Sequence, residues 1–491
     1  MIRRLMIVSL FALSMFGASF RAGEPFKPGK LSPAEVAALA PGLTLRFYAK
    51  PDAKTPLDAR RIRLAALHIP ADTSPTPFLE PGPIHARITG YLKNPLKGDY
   101  SFKLVGAGNI SLKINDKPVL TLPADKDKRA EVELAKNYNK LELVIDGPAK
   151  GDTTARLYWA GEKFDFEPVP PDVLFSRNDD ADLVEKTALR EGRSLFANLQ
   201  CARCHQFQGP TSSIVPTLPE CLSKAPHLDN AGNRFQQDWL VAWILNPREL
   251  RPEATMPRVL TGPDAPQQAA DIAAYLVSLK TTALAPLELN AKPADGTALA
   301  KRLGCSACHR PDEPTKPDEL GRLSHFYTAA KYAPNALAHY LKQPQGRHAW
   351  TRMPDFQLTD AEASQLEGHL RNQSKGKLPA APKGDPVRGE KLFTTAGCVR
   401  CHTVRPGERE PLVQLNRMDD PAKGCLAAKE HGKGLDYGLK DDQRRALQTF
   451  LRSDGKSLTR ETPAEFSLRQ VKALQCNACH RRDGESTRWH V

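Results

Sequence analysis

The sequence predicts a multidomain chain in which an antiparallel β-sandwich is followed by a series of small all-α domains. Its 491 residues exceed one compact domain, because domains usually hold about 150 residues. Residues 24–176 contain no cysteine and consist of short alternating apolar segments bounded by turn residues, which is typical of a β-sandwich. The rest of the chain repeats one cysteine motif four times among segments with helical periodicity.

Composition and charge limit the class of protein. Hydrophobic residues make up 40% and charged residues 26% of the chain, the balance of a soluble globular protein rather than a polytopic membrane protein or a disordered tail. The formal net charge is +14, an excess that fits nucleic acid, an anionic surface or an acidic protein partner.

The N-terminus, residues 1–22, predicts a secretory signal peptide. Two arginines precede an apolar run over 5–16, and small residues follow it. That run is too short to cross a bilayer, and the longest later run, 239–245, is shorter, so we expect no stable transmembrane anchor. Export to the periplasm or beyond argues against nucleic acid as a partner. It also places the cysteines in an oxidising space.

The predicted strands of the N-terminal region alternate apolar and polar residues. They include residues 100–104, 110–114, 130–134, 141–145 and 155–159. The segments that carry a family pattern are Gly98-Asp-Tyr-Ser-Phe-Lys-Leu104, Ile110-Ser-Leu-Lys-Ile114-Asn-Asp-Lys-Pro-Val119, Leu157-Tyr-Trp159 and Pro170-Pro-Asp-Val-Leu174. They resemble a PA14 domain over 24–176, which implies a role in binding a glycan or cell-surface ligand. Sugar-binding PA14 domains hold calcium with adjacent aspartates, whereas this chain reads Gly106-Ala-Gly-Asn109 there. Asn109 and Asp116 therefore fit simple turn residues.

Eight of the ten cysteines lie in four copies of the pattern C-x-x-C-H. The copies are Cys201-Ala-Arg-Cys204-His205, Cys305-Ser-Ala-Cys308-His309, Cys398-Val-Arg-Cys401-His402 and Cys476-Asn-Ala-Cys479-His480. This is the signature of c-type haem attachment, in which both thiols bond to the porphyrin and the adjacent imidazole binds iron. Zinc sites and thioredoxin-like redox motifs do not explain a histidine beside every second cysteine. We therefore expect four covalent haem c groups, held by these cysteines and histidines.

The first and third motifs follow the same helical pattern. A glycine and, four residues later, a phenylalanine precede each motif, as Gly192 and Phe196 or as Gly389 and Phe393. The pattern resembles the N-terminal helix of class I cytochromes c, in which the glycine allows close helix packing and the aromatic ring covers the haem edge. The resemblance implies cytochrome c-like domains at 183–282, 293–373 and 385–456, with an incomplete fourth at 463–491.

Two methionines fit the sixth iron ligand. Met256 and Met353 each begin a Met-Pro pair that lies between a haem motif and a helical segment, at 265–279 and 359–370. This arrangement resembles the Met loop and C-terminal helix of class I cytochromes, which implies Met256 for the first haem and Met353 for the second. A thioether ligand raises the potential and fills the sixth position, so these haems should carry electrons.

The third domain has no methionine in the corresponding place. Counting back from its last helix puts His431 in that slot, and we prefer His431 as the sixth ligand. Met418, Cys425 or an open site remain alternatives. Cys425 also holds a position related to that of Cys221 in the first domain, and the two would form a disulfide or remain two buried thiols.

The fourth motif matches the second in its flanking residues, so the domains follow the order A-B-A′-B′ of a duplicated two-haem unit. Only residues 481–491 follow His480, too few for a ligand loop and a closing helix. Either the chain is a fragment of a longer protein or His490 completes a shortened site.

The combination of a PA14-like domain with several cytochrome c domains resembles the large exported multihaem cytochromes of planctomycete-type bacteria. The resemblance implies an electron carrier whose β-sandwich docks it to a partner or glycan, and the positive charge fits an acidic redox protein. Two alternatives stay open. One is a peroxidase-like haem enzyme with the third haem as its open site, and the other is a PA14-type adhesin with accessory cytochromes. We expect electron transfer rather than catalysis and assign no catalytic residue.

Overall fold

The structure is a computed structural model that divides into two compact units. It describes residues 26–208, 213–214, 216–222, 225–280, 284, 287, 293–318, 320–347, 351–404, 413–414, 423–429, 431, 434–474 and 476. Unit one holds the chain up to residue 46 together with 61–68 and 85–179, and unit two holds 47–60, 69–84 and everything from residue 180 onward. The predicted signal peptide, Met418, Cys479, His480 and His490 lie outside the described residues.

The N-terminal region is built from antiparallel strands after one short helix, α1 (Pro33–Ala37). The strands are β1 (Leu39–Pro41), β2 (Leu43–Tyr48), β3 (Asp58–Ile62), β4 (Ala66–Ile69), β5 (His85–Asn94), β6 (Gly98–Ala107), β7 (Asn109–Ile114), β8 (Lys117–Leu122), β9 (Ala130–Leu134), β10 (Asn137–Asp146), β11 (Thr153–Gly161), β12 (Phe164–Pro168) and β13 (Leu174–Arg177). All five segments predicted as strands lie within these elements, so the expected antiparallel β-sheet domain is confirmed.

Two sheets account for these strands. One runs in the order β1-β13-β5-β10-β7-β8, with β2 beside β5 and β3 beside β2. The other runs in the order β12-β11-β6-β9, with β4 beside β11. Alternate residues of the long β5 and β10 pair are buried, and Ile88 lies opposite Leu143. This alternation gives each strand one apolar face for the core.

The hairpin between β7 and β8 turns at Asn115 and Asp116. Both residues have positive φ, 50° and 65°, as a two-residue hairpin turn with the favoured twist requires. Asp116 also accepts a hydrogen bond from Lys140 Nζ at 2.6 Å. Asp116 is therefore a turn residue, as the sequence predicts.

Two segments from the predicted β-sandwich, 47–60 and 69–84, group with unit two rather than unit one. Asp58 is fully buried, and its carboxylate accepts two hydrogen bonds from the Arg190 guanidinium at 2.9 and 2.7 Å. Arg190 also donates to Glu465 at 2.8 Å. Asp58 thus bonds with residues far along the chain, because a buried charge needs its partners.

Unit two is mainly helical. Its helices are α2 (Ala181–Asn198), α3 (Pro219–Leu222), α4 (Ala231–Arg234), α5 (Gln237–Leu245), α6 (Pro247–Leu250), α7 (Ala265–Ser278), α8 (Pro293–Arg302), α9 (Thr328–Lys331), α10 (Ala336–Lys342), α11 (Pro344–Arg347), α12 (Asp360–Gln373), α13 (Pro386–Thr395), α14 (Asp441–Leu451) and α15 (Pro463–Ala473). Its short strands are β14 (His205–Gln208), β15 (Ser213–Ile214), β16 (His309–Arg310), β17 (Leu323–Ser324) and β18 (Val413–Gln414). Within the described part of the chain, no helix is both long and apolar enough to cross a bilayer.

Three pairs of long helices organise this unit: α2 with α14, α13 with α7, and α8 with α12. A glycine lies at each contact. A Cβ atom on Gly192 in α2 would come within 2.0 Å of the Ala446 carbonyl oxygen in α14. A Cβ on Gly389 in α13 would come within 2.0 Å of the Asp271 carbonyl oxygen in α7. The backbones therefore touch at positions where only glycine fits.

This pairing differs from the contiguous domains expected at 183–282 and 385–456. The helix that precedes the first motif packs on α14 from the second half of the chain, and α7 packs on α13 before the third motif. Among the described helices of these three regions, those of 293–373 pair first with last, as α8 with α12. Helices α2 and α13 carry the same pattern of a glycine and a phenylalanine, so this pattern fits packing on either α7 or α14.

Candidate haem centres

The first three C-x-x-C-H motifs share one backbone conformation. The residue before each motif lies in the left-handed region, namely Gln200, Gly304 and Gly397, with φ of 60°, 69° and 78°. A 3-10 turn then spans Cys201–Arg203, Cys305–Ala307 and Cys398–Arg400. The tight turn brings both thiols and the following imidazole to one place, as a porphyrin edge with a central iron requires. Of the fourth motif, the structure describes Cys476 alone, as a free thiol.

The motif cysteines that the structure describes are partly buried free thiols. Burial raises the pKa of Cys201, and burial raises the pKa of Cys398 to about 12. Burial also raises the pKa of Cys305 and of Cys401. These thiols are therefore neutral, and apolar walls around a thiol pair fit a bound porphyrin better than a thiolate metal site.

His402 is held in the orientation of an iron ligand. Its Nδ1 atom lies 3.0 Å from the Pro226 carbonyl oxygen, and because a carbonyl only accepts, Nδ1 carries the proton and donates. The Nε2 lone pair is then available to a metal. The Leu228 amide donates to the Thr403 carbonyl at 3.0 Å, which fixes the same segment beside the motif. Burial lowers the pKa of His402, so the imidazole is neutral.

His205 and His309 are partly buried and neutral. Burial lowers the pKa of His205, and burial lowers the pKa of His309 to about 4. Their Nδ1 atoms are buried with no hydrogen-bond partner in the described part of the chain. The His309 ring stacks on His325 with centroids 4.3 Å apart, which fixes its plane. Buried neutral imidazoles beside paired thiols fit haem iron.

The second motif and Met353 share one core. Cys305 and Met353 pack against the same apolar cluster, which is formed by Leu287, Leu299, Ala300, Leu337, Ala338, Leu341, Leu358, Ala363, Leu366 and Leu370. The Gln345 side chain donates to the Met353 carbonyl at 3.0 Å and holds the loop. The structure therefore brings together the motif and the methionine that the sequence assigns to the second haem.

Met256 is held by a tryptophan side chain. The Trp243 Nε1 atom donates to its sulfur at 3.1 Å. Trp243 packs against the cluster that contains Phe393, Val399 and Cys398, all beside the third motif. Through Trp243, the loop of Met256 is thus linked to the third motif, whereas the sequence assigns Met256 to the first haem.

The first motif lies in a core with the segment that follows the third motif. Cys201 packs with Phe196 and Phe450, and also with Leu426 and Leu439 from the loop before α14. The three phenylalanines of this core, Phe196, Phe207 and Phe450, have ring centroids 5.4 to 5.7 Å apart.

His431 belongs to the same loop as Leu426 and Leu439. Its Nδ1 donates to the Gly424 carbonyl at 3.1 Å, and its Nε2 lies 3.4 Å from Asp436 Oδ1. Ligation by His431 requires Nε2 to leave this carboxylate. The loop that carries His431 thus packs on the core of the first motif, whereas the sequence assigns His431 to the third.

Three residues that the sequence motifs do not include also border these centres: Pro226, Trp243 and Tyr437. Burial raises the pKa of the Tyr437 phenol, and the thiols of Cys201 and Cys401 contribute to the shift, so this ring lies near the first and third motifs together. A proline that follows a haem motif can be predicted to accept a hydrogen bond, through its carbonyl oxygen, from the histidine of that motif. Pro226, however, follows the first motif and accepts from the histidine of the third.

Cys221 and Cys425 are free thiols in the structure. Burial raises the pKa of Cys221 to about 11. The Leu435 amide donates to the Cys425 sulfur at 3.3 Å. Burial is the largest cause of the raised pKa of Cys201, and the thiols of Cys425 and Cys221 raise that pKa further. Both thiols therefore lie near the first motif. Of the two alternatives, the structure has the pair of separate thiols.

Family models match two parts of the chain. The cytochrome c model matches residues 189–280, and the PA14 domain model matches residues 39–171. No curated protein matches the chain.

Solved structures resemble up to about a third of the chain. An anti-sigma factor domain-containing protein from Clostridium clariflavum is 16% identical over 29% of this chain and 49% of its own length, with a TM-score of 0.25. This chain thus spans about half of that protein. The PA14 domain of the MpAFP antifreeze protein is 15% identical, over 32% of this chain and 96% of its own, with a TM-score of 0.24. The Epithelial Adhesin 9 A domain from Candida glabrata is 14% identical, over 32% and 99%, with a TM-score of 0.25.

The two family matches agree with the order of domains that the sequence predicts. A cytochrome c domain implies covalently bound haem c. The chain therefore combines an N-terminal PA14 domain at residues 39–171 with a cytochrome c domain at residues 189–280.

Proposed function

We propose that this protein is an exported multihaem c-type cytochrome that carries electrons through four covalently bound haems. The observation that carries the proposal is the shared conformation of the first three motifs, each with a partly buried, neutral histidine beside a desolvated thiol. Haem supplies an iron that cycles between Fe(III) and Fe(II). The residues of this chain anchor the porphyrin, bind the iron and exclude water.

In this proposal the eight motif cysteines form thioethers and the four motif histidines bind the irons. Met353 fills the sixth position of the second haem, because it packs in the same core as Cys305. A filled sixth position leaves no site for a substrate, so such a haem exchanges electrons only. The first and third haems would be close neighbours. Burial is the largest cause of the raised pKa of Cys401, and the nearby Cys204 thiol of the first motif raises that pKa further.

The apolar walls around the motifs support an electron carrier. Burial in a low-dielectric core disfavours the extra charge of Fe(III), so it holds the potential of each haem above that of an exposed one. Strong ligand fields from histidine and methionine keep the iron low-spin in both oxidation states. Electron exchange then needs little rearrangement of the site.

Optical and electron paramagnetic resonance spectra of the matured protein test carrier against enzyme. The carrier predicts low-spin haems that are reduced and reoxidised reversibly and that bind no cyanide at neutral pH. A high-spin haem that turns over peroxide in the unmutated protein would replace the carrier with the peroxidase-like alternative.

The PA14 domain would serve as a docking module in the same protein. Its proposed ligand is a glycan or a cell-surface molecule, supported by the family match alone. A glycan array probed with the full holoprotein, with and without calcium, tests this role. Absence of binding to every glycan would leave a protein partner as the ligand class.

A further inference from the structure

We propose that the first and third haems exchange their distal ligands, so that Met256 binds the iron of His402 and the loop with His431 closes the site of His205. This proposal rests on the proposed haem function. Each of these two haem sites would then combine residues from both halves of the chain.

The second domain shows how a contiguous haem site is built in this protein. Its helix before the motif, α8, packs on α12, and a Cβ on Gly296 would come within 2.1 Å of the Gln365 carbonyl oxygen. Directly after the motif, His309 pairs in parallel with Leu323. The ligand loop with Met353 lies between that segment and α12. Helix contact, post-motif segment and ligand loop thus all come from one stretch of chain.

The helix contacts of the other two sites are exchanged. The ring of Phe393 in α13 lies 5.8 Å from that of Tyr275 in α7. The ring of Phe196 in α2 lies 5.5 Å from that of Phe450 in α14. A side-chain ion pair reinforces the first contact, because Arg388 Nε donates to the buried Asp271 carboxylate at 2.9 Å.

Backbone contacts of both haem histidines also cross between the two sites. His205 of the first motif pairs in parallel with Val413, which follows the third motif. This is the register that His309 and Leu323 have in the contiguous site. In turn, His402 of the third motif donates to the carbonyl of Pro226, which follows the first motif. Residues between these points stay at the first site, since Phe207 pairs with Ile214, and Leu218 and Cys221 lie in the core of Cys201. On that side the exchange is therefore first seen at Pro226.

The ligand loops follow the same exchange. Trp243 binds the sulfur of Met256 and packs in the core of Cys398. The loop of His431 contributes Leu426 and Leu439 to the core of Cys201. The two loops run side by side, since the Arg258 amide donates to the Asp436 carbonyl at 2.9 Å. Three separate features thus assign Met256 to the third motif.

The test uses holoprotein with isotopically labelled methionine methyl groups. The porphyrin ring current moves the methyl resonance of an iron-bound methionine far upfield in the reduced protein. Met256→Leu and Met353→Leu assign the two shifted resonances. Cys398→Ser with Cys401→Ser then removes the third haem, and Cys201→Ser with Cys204→Ser removes the first.

We expect loss of the third haem to return the Met256 resonance to its unshifted position and loss of the first haem to leave it shifted. The reverse result overturns the proposal. The shifted resonance of Met353 is the internal control for folding in both variants. A parent protein with covalent haems and no shifted Met256 resonance refutes the ligand exchange alone, whereas a parent without covalent haem refutes the proposed function.

A second measurement does not depend on removing a haem. Asp271→Asn and Arg388→Gln form a double-mutant cycle in the full holoprotein, read by thermal unfolding. The exchange predicts that the two losses of stability are not additive, because the residues touch across the exchanged helices. Asp271→Asn with Arg190→Gln is the additive control. Additivity of Asp271 and Arg388 overturns the exchange even if the cysteine variants misfold.

Discussion

At the scale of single residues, much of each haem site could be predicted from the short spacing of its motif residues. The cysteines and histidine of each motif lie within five positions, so the pattern alone predicts which residues meet, and three motifs share one turn. Pro226 could not be predicted as the acceptor for His402, because 176 residues separate them. Contacts made through backbone atoms leave no residue-type signal.

Gly389 should tolerate no side chain. A Cβ there would lie 2.0 Å from the Asp271 carbonyl oxygen, so Gly389→Ala must separate α13 from α7. We expect a loss of about 1 to 3 kcal/mol in the free energy of unfolding, measured by denaturant titration. The control is Gly368→Ala in α12, where nothing lies within 4 Å and alanine should stabilise the helix by up to about 1 kcal/mol. Equal effects of both changes would contradict the close contact.

Asp271 should make stability depend on pH in the acid range. Hydrogen bonds from Arg388, Gln267 and the Asp385 amide lower the pKa of its carboxyl from 3.8 to about 2. Because the folded-state pKa lies below the unfolded one, the stabilisation is complete above pH 3.8 and is lost as the pH falls toward 2. Asp271→Asn should therefore lower stability at pH 7 and match the parent more closely near pH 2. An unchanged difference at both pH values, in urea titrations, would exclude this role.

At the scale of elements, the helices were predictable and their partners were not. The alternation of residues predicts the β strands, and apolar spacing predicts α7 and α12 with the correct extent to within a few residues. The sequence pattern does not show that α7 packs on α13 and α14 packs on α2, because α2 and α13 carry the same glycine and phenylalanine. Which of two equivalent surfaces a helix meets depends on the path of the chain between them.

Crossed double-mutant cycles on the aromatic pairs test the helix exchange. Phe393→Leu and Tyr275→Leu remove the contact between α13 and α7, whose ring centroids lie 5.8 Å apart. Phe196→Leu and Phe450→Leu remove the contact between α2 and α14, whose ring centroids lie 5.5 Å apart. Each pair should show a coupling of about 0.5 to 1.5 kcal/mol in the free energy of unfolding. The contiguous pairs, Phe196 with Tyr275 and Phe393 with Phe450, are the matched controls and should be additive. Coupling in the contiguous pairs only would restore the contiguous domains.

At the scale of the whole molecule, the order of domains followed from the sequence. A cysteine-free region with period-two alternation predicts the β-sheet domain, and the family matches support both a PA14 and a cytochrome c domain. The grouping of 47–60 and 69–84 with unit two was not predictable, since it depends on buried ion pairs such as that of Asp58 with Arg190. Such pairs join residues more than a hundred positions apart.

The net charge of +14 predicts how the molecule meets its redox partner. If an acidic protein receives the electrons, long-range attraction speeds the encounter and salt screens it. We expect the second-order rate of electron exchange with an acidic redox protein to fall steeply as ionic strength rises, in stopped-flow measurements. A basic redox protein of similar potential is the control and should show the opposite slope. A rate that does not depend on salt would show that the net charge does not guide the choice of redox partner.

The count of covalent haems is the most direct test of the central claim. The full chain, matured by a c-type haem assembly system and denatured in acid, is weighed by intact mass spectrometry, and haem-bearing peptides are then assigned to each motif. The account predicts mass increments for four haems, on the cysteine pairs that begin at Cys201, Cys305, Cys398 and Cys476. A chain that matures with no covalent porphyrin, or with disulfides or zinc at these cysteines, would contradict it.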